Sequence, residues 1–138
     1  MIQALILAHG QLAEGLLGAV EALAGPQQGV RALSNSGCDL PSIVERAAEA
    51  AGTLPAGPLV IFVDLPGGSC NQAGRALLKD HPEWRLVTGV NVPMLVNFFQ
   101  NRGRLALDEV VALMVSRARD GVKSYPEGSS GLGPGSAG

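Results

Sequence analysis

The spacing of apolar positions changes several times along this chain, and each change marks an element. Residues 2 to 8 (IQALILA) form a nearly unbroken apolar run, as a strand covered on both sides does. From residue 11 to 24 the period lengthens, so that Leu12, Leu16, Val20, Leu23 and Ala24 share one helical face, and Gly25-Pro26 ends the helix. A second strand is expected at 29 to 34 (GVRALS). Asp39-Leu40-Pro41 then opens a helix with proline in its first turn, and Ile43, Val44, Ala47, Ala48 and Ala51 form its buried side. Residues 59 to 64 (LVIFVD) carry the strongest strand signal, apolar on both faces. Four more elements follow: a helix around 71 to 79, a strand around 85 to 90 (RLVTGV), a short helix from Pro93, and an amphipathic helix near 107 to 123. The short helix carries Met94, Leu95, Phe98 and Phe99. The last puts Val111, Met114, Val115, Ala118 and Val122 on one side, with Asp108 and Glu109 at its positive end.

Strands alternating with helices predict an α/β fold: a doubly wound, mostly parallel four-stranded sheet with helices on both faces. One domain is expected over residues 1 to 125. Residues 126 to 138 (PEGSSGLGPGSAG) hold too few apolar side chains to bury anything and are expected to form a flexible Gly/Ser/Pro-rich tail.

Composition narrows the function classes. Ten basic and twelve acidic residues give a net charge of −2 without a Lys/Arg run, so the basic stripe of a nucleic-acid binder is missing. Cys38 and Cys70 lack CxxC spacing and read as free thiols in a reducing compartment. The two histidines and two cysteines are dispersed without metal-ligand spacing, so no metal is expected. No run approaches the roughly 18 apolar residues of a membrane span, and the N-terminus lacks a signal peptide's basic region. The expected location is the cytoplasm.

In sheets of this kind ligands bind at the carboxyl ends of the strands, where the strand order reverses. The first strand ends at His9-Gly10. The third ends at Asp64, followed by Leu65-Pro66-Gly67-Gly68-Ser69, and the fourth leads into Asn91-Val92-Pro93. If the first and third strands are neighbours, Asp64 can orient the His9 imidazole and leave its other nitrogen free as a nucleophile. Gly67, Gly68 and Ser69 at a helix start can offer N–H groups and a hydroxyl to an anion. Together these are parts for holding and passing on a phosphoryl group. His81 lies in a polar loop and reads as a surface residue, and Cys70 reads as a packing residue.

Competing motifs fit less well. Residues 68 to 75 (GSCNQAGR) lack the Gly-Lys-Ser/Thr ending of a nucleoside triphosphatase loop. His9, Asp64 and Ser69 contain the elements of a hydrolytic triad, but Gly67-Gly68-Ser69-Cys70-Asn71 misses the second glycine of a nucleophile elbow. A plain interaction domain, sensing the phosphorylated state, stays open.

The stretches LILAHGQLAEGLL, FVDLPGGSCNQAGR, TGVNVPMLV and RARDGVKSY occur in the order in which this chain resembles the enzyme IIA component of the mannose-type sugar phosphotransferase system. The resemblance spans residues 2 to 125. It implies that His9 accepts a phosphoryl group from the phosphocarrier HPr and gives it to an enzyme IIB histidine for sugar uptake. Asp64 corresponds to the carboxylate that orients the imidazole, and Ser69 with Gly67 and Gly68 to the loop beside the phosphoryl group. It implies no cofactor, an indirect association with a membrane IIC/IID permease, and a homodimer, in some members completed by an antiparallel edge strand exchanged between subunits. Pro66 and Cys70 depart from the family pattern, which has a bulky residue and a proline there. The tail resembles the start of a linker to a IIB domain, and a single-domain IIA is the simpler expectation. Two alternatives remain: a regulatory phosphoprotein without a transport role, and the phosphoryl-donor subunit of dihydroxyacetone kinase. Gly10 and DLPGGS argue against the second, whose histidine is typically followed by serine.

Overall fold

The computed structural model of the chain describes residues 1 to 127. Each apolar run becomes a strand and each longer-period segment a helix: β1 (Gln3–Ala8), α1 (Leu12–Ala24), β2 (Val30–Ser34), α2 (Leu40–Gly52), β3 (Leu59–Val63), α3 (Gly68–Asp80), β4 (Arg85–Val87), α4 (Val92–Asn101) and α5 (Leu107–Asp120). The four strands are all parallel in the order β2-β1-β3-β4. The chain winds outward from β1 to β2, then crosses back to start β3 on the other side. The switch point therefore lies between β1 and β3.

Alternation along the two central strands divides the core into two layers. Ala4, Ile6 and Ala8 of β1 and Val60 and Phe62 of β3 pack with α1, α4 and α5. Leu5, Leu7, Leu59, Ile61 and Val63 face α2 and α3 on the opposite side. Every residue of β1 and β3 is buried, the pattern of parallel strands covered on both faces. Phe62 sits edge-on to Phe98, ring centres 5.1 Å apart, which fixes α4 over the middle of the sheet.

Helix starts follow local chemistry. Asp39 accepts the Ser42 amide at 2.9 Å, and Asn91 accepts the Met94 amide at 3.0 Å, each ahead of a proline in the first turn. Asn91 also donates to the Ala118 carbonyl at 3.1 Å, tying α4 to the last turn of α5.

The four described strands are those expected; among the described residues no strand follows α5, and an edge strand exchanged between subunits is not tested by a single chain. Several expectations need correction. The fourth strand stops at Val87 rather than at 90, because Gly89 takes a left-handed φ of 71° and turns the chain toward α4. The third helix begins at Gly68, three residues before its expected start, since glycine and serine hide a helix's opening turn. The last helix ends at Asp120, leaving Val122 exposed. In α1 the buried face is Ala13, Leu16 and Val20, while Leu12 and Leu23 point outward. In α2 Ala48 is exposed. Of the expected tail, residues 128 to 138 lie outside the described residues.

Candidate functional site

The parallel register sets Leu7 of β1 beside Val63 of β3. Asp64 follows Val63 directly and His9 follows the last residue of β1, Ala8, so the two emerge together at the carboxyl edge, at the switch point. One carboxylate oxygen holds the histidine twice: Asp64 Oδ2 accepts the His9 backbone amide at 3.0 Å and lies 2.8 Å from Nδ1. Burial pushes the Asp64 carboxyl up, but the two His9 hydrogen bonds and the imidazole's charge outweigh it, and its pKa falls below the usual carboxylate value. An ionised carboxylate only accepts, so Nδ1 carries the proton and Nε2 carries the lone pair. Nε2 takes no hydrogen bond from the described residues, and the His9 side chain is 46% exposed against 11% for Asp64. Asp64 Oδ1 is buried without a partner.

The first turn of α3 closes over the ring. Gly68 adopts φ of 82°, and a Cβ built there would meet His9 Cε1 at 3.9 Å, so the backbone passes close to the imidazole. No side chain caps this helix start. Its opening N–H groups are thus left for an anion. Ser69 accepts a hydrogen bond from Asn35 Nδ2 at 3.1 Å, and its hydroxyl also reaches the Cys70 thiol. Ser69 makes no bond to His9, so the two do not form a nucleophile–base pair.

Asn35 is the functional candidate the sequence reading missed. It follows β2, and its amide donates to the Ala8 carbonyl at 3.2 Å, directly before His9. It therefore links the ends of β1 and β2 to the α3 loop. The signal was available: the strand-end rule that selected His9 and Asp64 also selects the residue after β2.

Cys70 Sγ lies 4.0 Å from His9 Nδ1 in a fully buried position. Burial and the neighbouring Asp64 charge push its thiol up to about 11, so at neutral pH it is a protonated packing group and no nucleophile. The geometry nevertheless gathers three groups that sequence spacing did not connect, since one donor atom from each of His9, Asp64 and Cys70 lies within 4.8 Å of the others. Beside the Gly67-Gly68 turn, a groove of about 540 Å³ runs along α3 past Asn71 to Arg75 and Lys79; neither His9 nor Asp64 lines it. His81 stands apart, ahead of β4, stacked flat on Trp84 at 3.7 Å.

No helix of the described residues is long and apolar enough to cross a membrane. Residues 3–115 match the family model described as the phosphotransferase system fructose IIA component. The chain is 34% identical over 119 residues to the mannose-specific EIIAB component of Escherichia coli (strain K12), covering 84% of this chain and 37% of that protein. It is 29% identical over 114 residues to the sorbose-specific EIIA component of Klebsiella pneumoniae, covering 80% and 82%. The chain thus spans little more than a third of the mannose-specific relatives it matches. Its fold is that of the phosphotransferase system component EIIA from Streptococcus agalactiae, with a TM-score of 0.82, 23% identity and coverage of 91% and 98%. With a family model matched over most of its length, this chain belongs to the mannose-type IIA family of the sugar phosphotransferase system.

Proposed function

We propose that the chain is a phosphoryl relay of sugar uptake, taking a phosphoryl group from phospho-HPr onto His9 Nε2 and passing it to a histidine of an enzyme IIB domain. The observation that carries this is the double hold of Asp64 Oδ2 on His9, at 3.0 Å from its amide and 2.8 Å from Nδ1. The hold fixes both the tautomer and the direction of Nε2. The Nε2 lone pair forms the new P–N bond while the bond from phosphorus to the donor nitrogen breaks. The proton stays on Nδ1, and the positive charge that develops on the ring faces the Asp64 carboxylate. Ser69 and the opening N–H groups of α3, near Gly67 and Gly68, hold the phosphoryl oxygens. Phosphoryl transfer needs mainly such positioning and charge stabilisation. The proposal extends to a cytoplasmic homodimer that meets its IIC/IID permease only through IIB, and to a domain ending near residue 125.

The test is incubation with phosphoenolpyruvate, enzyme I and HPr. Wild type should gain one acid-labile, base-stable phosphate, and His9→Ala none. Equal labelling of the two would overturn the proposal.

A further inference from the structure

We infer that His9, Asp64 and Cys70 form a binding site for a soft divalent cation of the zinc and cadmium type, and that its occupancy silences the relay nitrogen. The ligands come from three separate segments: Nδ1 from the end of β1, a carboxylate from the end of β3, and Sγ from the first turn of α3. Imidazole, carboxylate and thiolate are the donors that such ions take in tetrahedral sites. Two of the three distances lie close to what an ion requires, and the third, from the carboxylate to Sγ, is within 4.8 Å. Bonds of about 2.0 Å to nitrogen and oxygen and about 2.3 Å to sulfur place tetrahedral ligands about 3.3 to 3.5 Å apart. Nδ1 and Oδ2 now stand 2.8 Å apart and Nδ1 and Sγ 4.0 Å, so one pair opens and the other closes by roughly half an ångström each.

The unused carboxylate oxygen favours a cation at this place, and the position of His9 is compatible with one. Asp64 Oδ1 is buried with no hydrogen-bond partner, so the carboxylate holds acceptor capacity that the protein leaves unused. The His9 side chain is 46% exposed, so one of the three ligands lies at the surface and not sealed in the core. Charge also balances. A divalent ion, one carboxylate and one thiolate sum to zero around a neutral imidazole, and the proton displaced from Cys70 leaves to solvent.

The consequence for the ring follows from its tautomers. An ion on Nδ1 displaces the proton held there, and neutral imidazole then carries its proton on Nε2. The lone pair that attacks phosphorus is gone. Binding of the ion stands on the geometry alone, whereas silencing rests on the relay proposed above.

The experiment titrates the purified chain with cadmium chloride and follows the ultraviolet thiolate-to-cadmium absorption. Wild type and Cys38→Ala should develop the band to saturation at one ion per chain. Cys70→Ala should lack it, and His9→Asn, at an exposed position that does not threaten folding, should weaken binding at least tenfold. A band that survives Cys70→Ala, or that Cys38→Ala removes, overturns the site. In the phosphorylation assay, with each protein compared with its own zinc-free rate, zinc added after HPr has been labelled should block transfer to wild type and leave the rate of Cys70→Ala, whatever it is, unaltered. Equal block of both overturns the silencing. Failure of wild type to be labelled without zinc would overturn the relay and leave the cadmium result standing.

Discussion

The two edges of the sheet each carry a histidine beside a carboxylate, and they are built for different ends. At the carboxyl edge, His9 is held by Asp64 through two bonds to one oxygen, and the ring's second nitrogen is left open. At the amino edge, His81 lies flat against Trp84, and its contact with Glu83, at 3.5 Å, joins two exposed groups. That contact adds little in water. The same edge holds Arg102, which is buried yet donates to the carbonyls of Ile2, Gln28 and Gly29 and packs over Phe99 at 4.7 Å. It ties the entrances of β1 and β2 to the end of α4. One edge therefore uses its polar groups to close off backbone acceptors, and the other leaves a ring nitrogen and backbone donors unspent. Proximity of a carboxylate to an imidazole does not distinguish them; what the remaining nitrogen faces does.

The widest gap should appear on exchanging the histidines. His9→Ala is expected to abolish phosphoryl acceptance and His81→Ala to leave its rate unchanged, read by labelling from phospho-HPr. Asp64→Asn keeps the shape of the pair but loses the charge that fixes the tautomer. It should slow acceptance by about 10² to 10⁴-fold, the range for lost orientation of a catalytic histidine. Arg102→Met breaks the other edge. It strands several buried carbonyls and should lower stability in urea by about 2 to 4 kcal/mol, with the labelling rate of the folded fraction unchanged. Asn35→Ala should slow labelling by about tenfold, the size of one lost positioning hydrogen bond. Its unfolding midpoint should barely move, and a large stability loss with no rate loss would assign Asn35 to the scaffold instead. The smallest effect belongs to the stacked pair, where His81→Ala should cost about 1 kcal/mol or less.

The part of this contrast legible in the sequence depends on how far each signal reaches. Buried strands announce themselves through local apolar runs, and IQALILA and LVIFV brought His9 and Asp64 to the right edge. Asp39-Leu40-Pro41 and Asn91-Val92-Pro93 placed two helix starts, because a cap and its proline act within four residues. Where the deciding contact lay further along the chain, local pattern failed. Leu12 and Leu23 fit a helical stripe, yet the sheet and α4 select Ala13, Leu16 and Val20. The strand signal of RLVTGV ran past its end because Gly89 turns the backbone, a conformation no apolar count reveals. The strand-end rule points to Asn35, but its pairing with Ser69, 34 residues away, and the approach of Cys70 to His9, 61 residues away, carry no local signal. Those pairings exist only once the strand order is known.

The double hold on His9 has a consequence for traffic through the protein. Oδ2 grips the backbone amide and the ring of the same residue, so the imidazole cannot swing between two stations without losing its hold. In the proposed relay, donor and acceptor must therefore approach the same nitrogen from the same side, one after the other. If the proposed relay holds, it works as a single-berth dock: an excess of the unphosphorylated carrier should obstruct delivery to the next partner, and turnover should be set by how quickly the first visitor leaves.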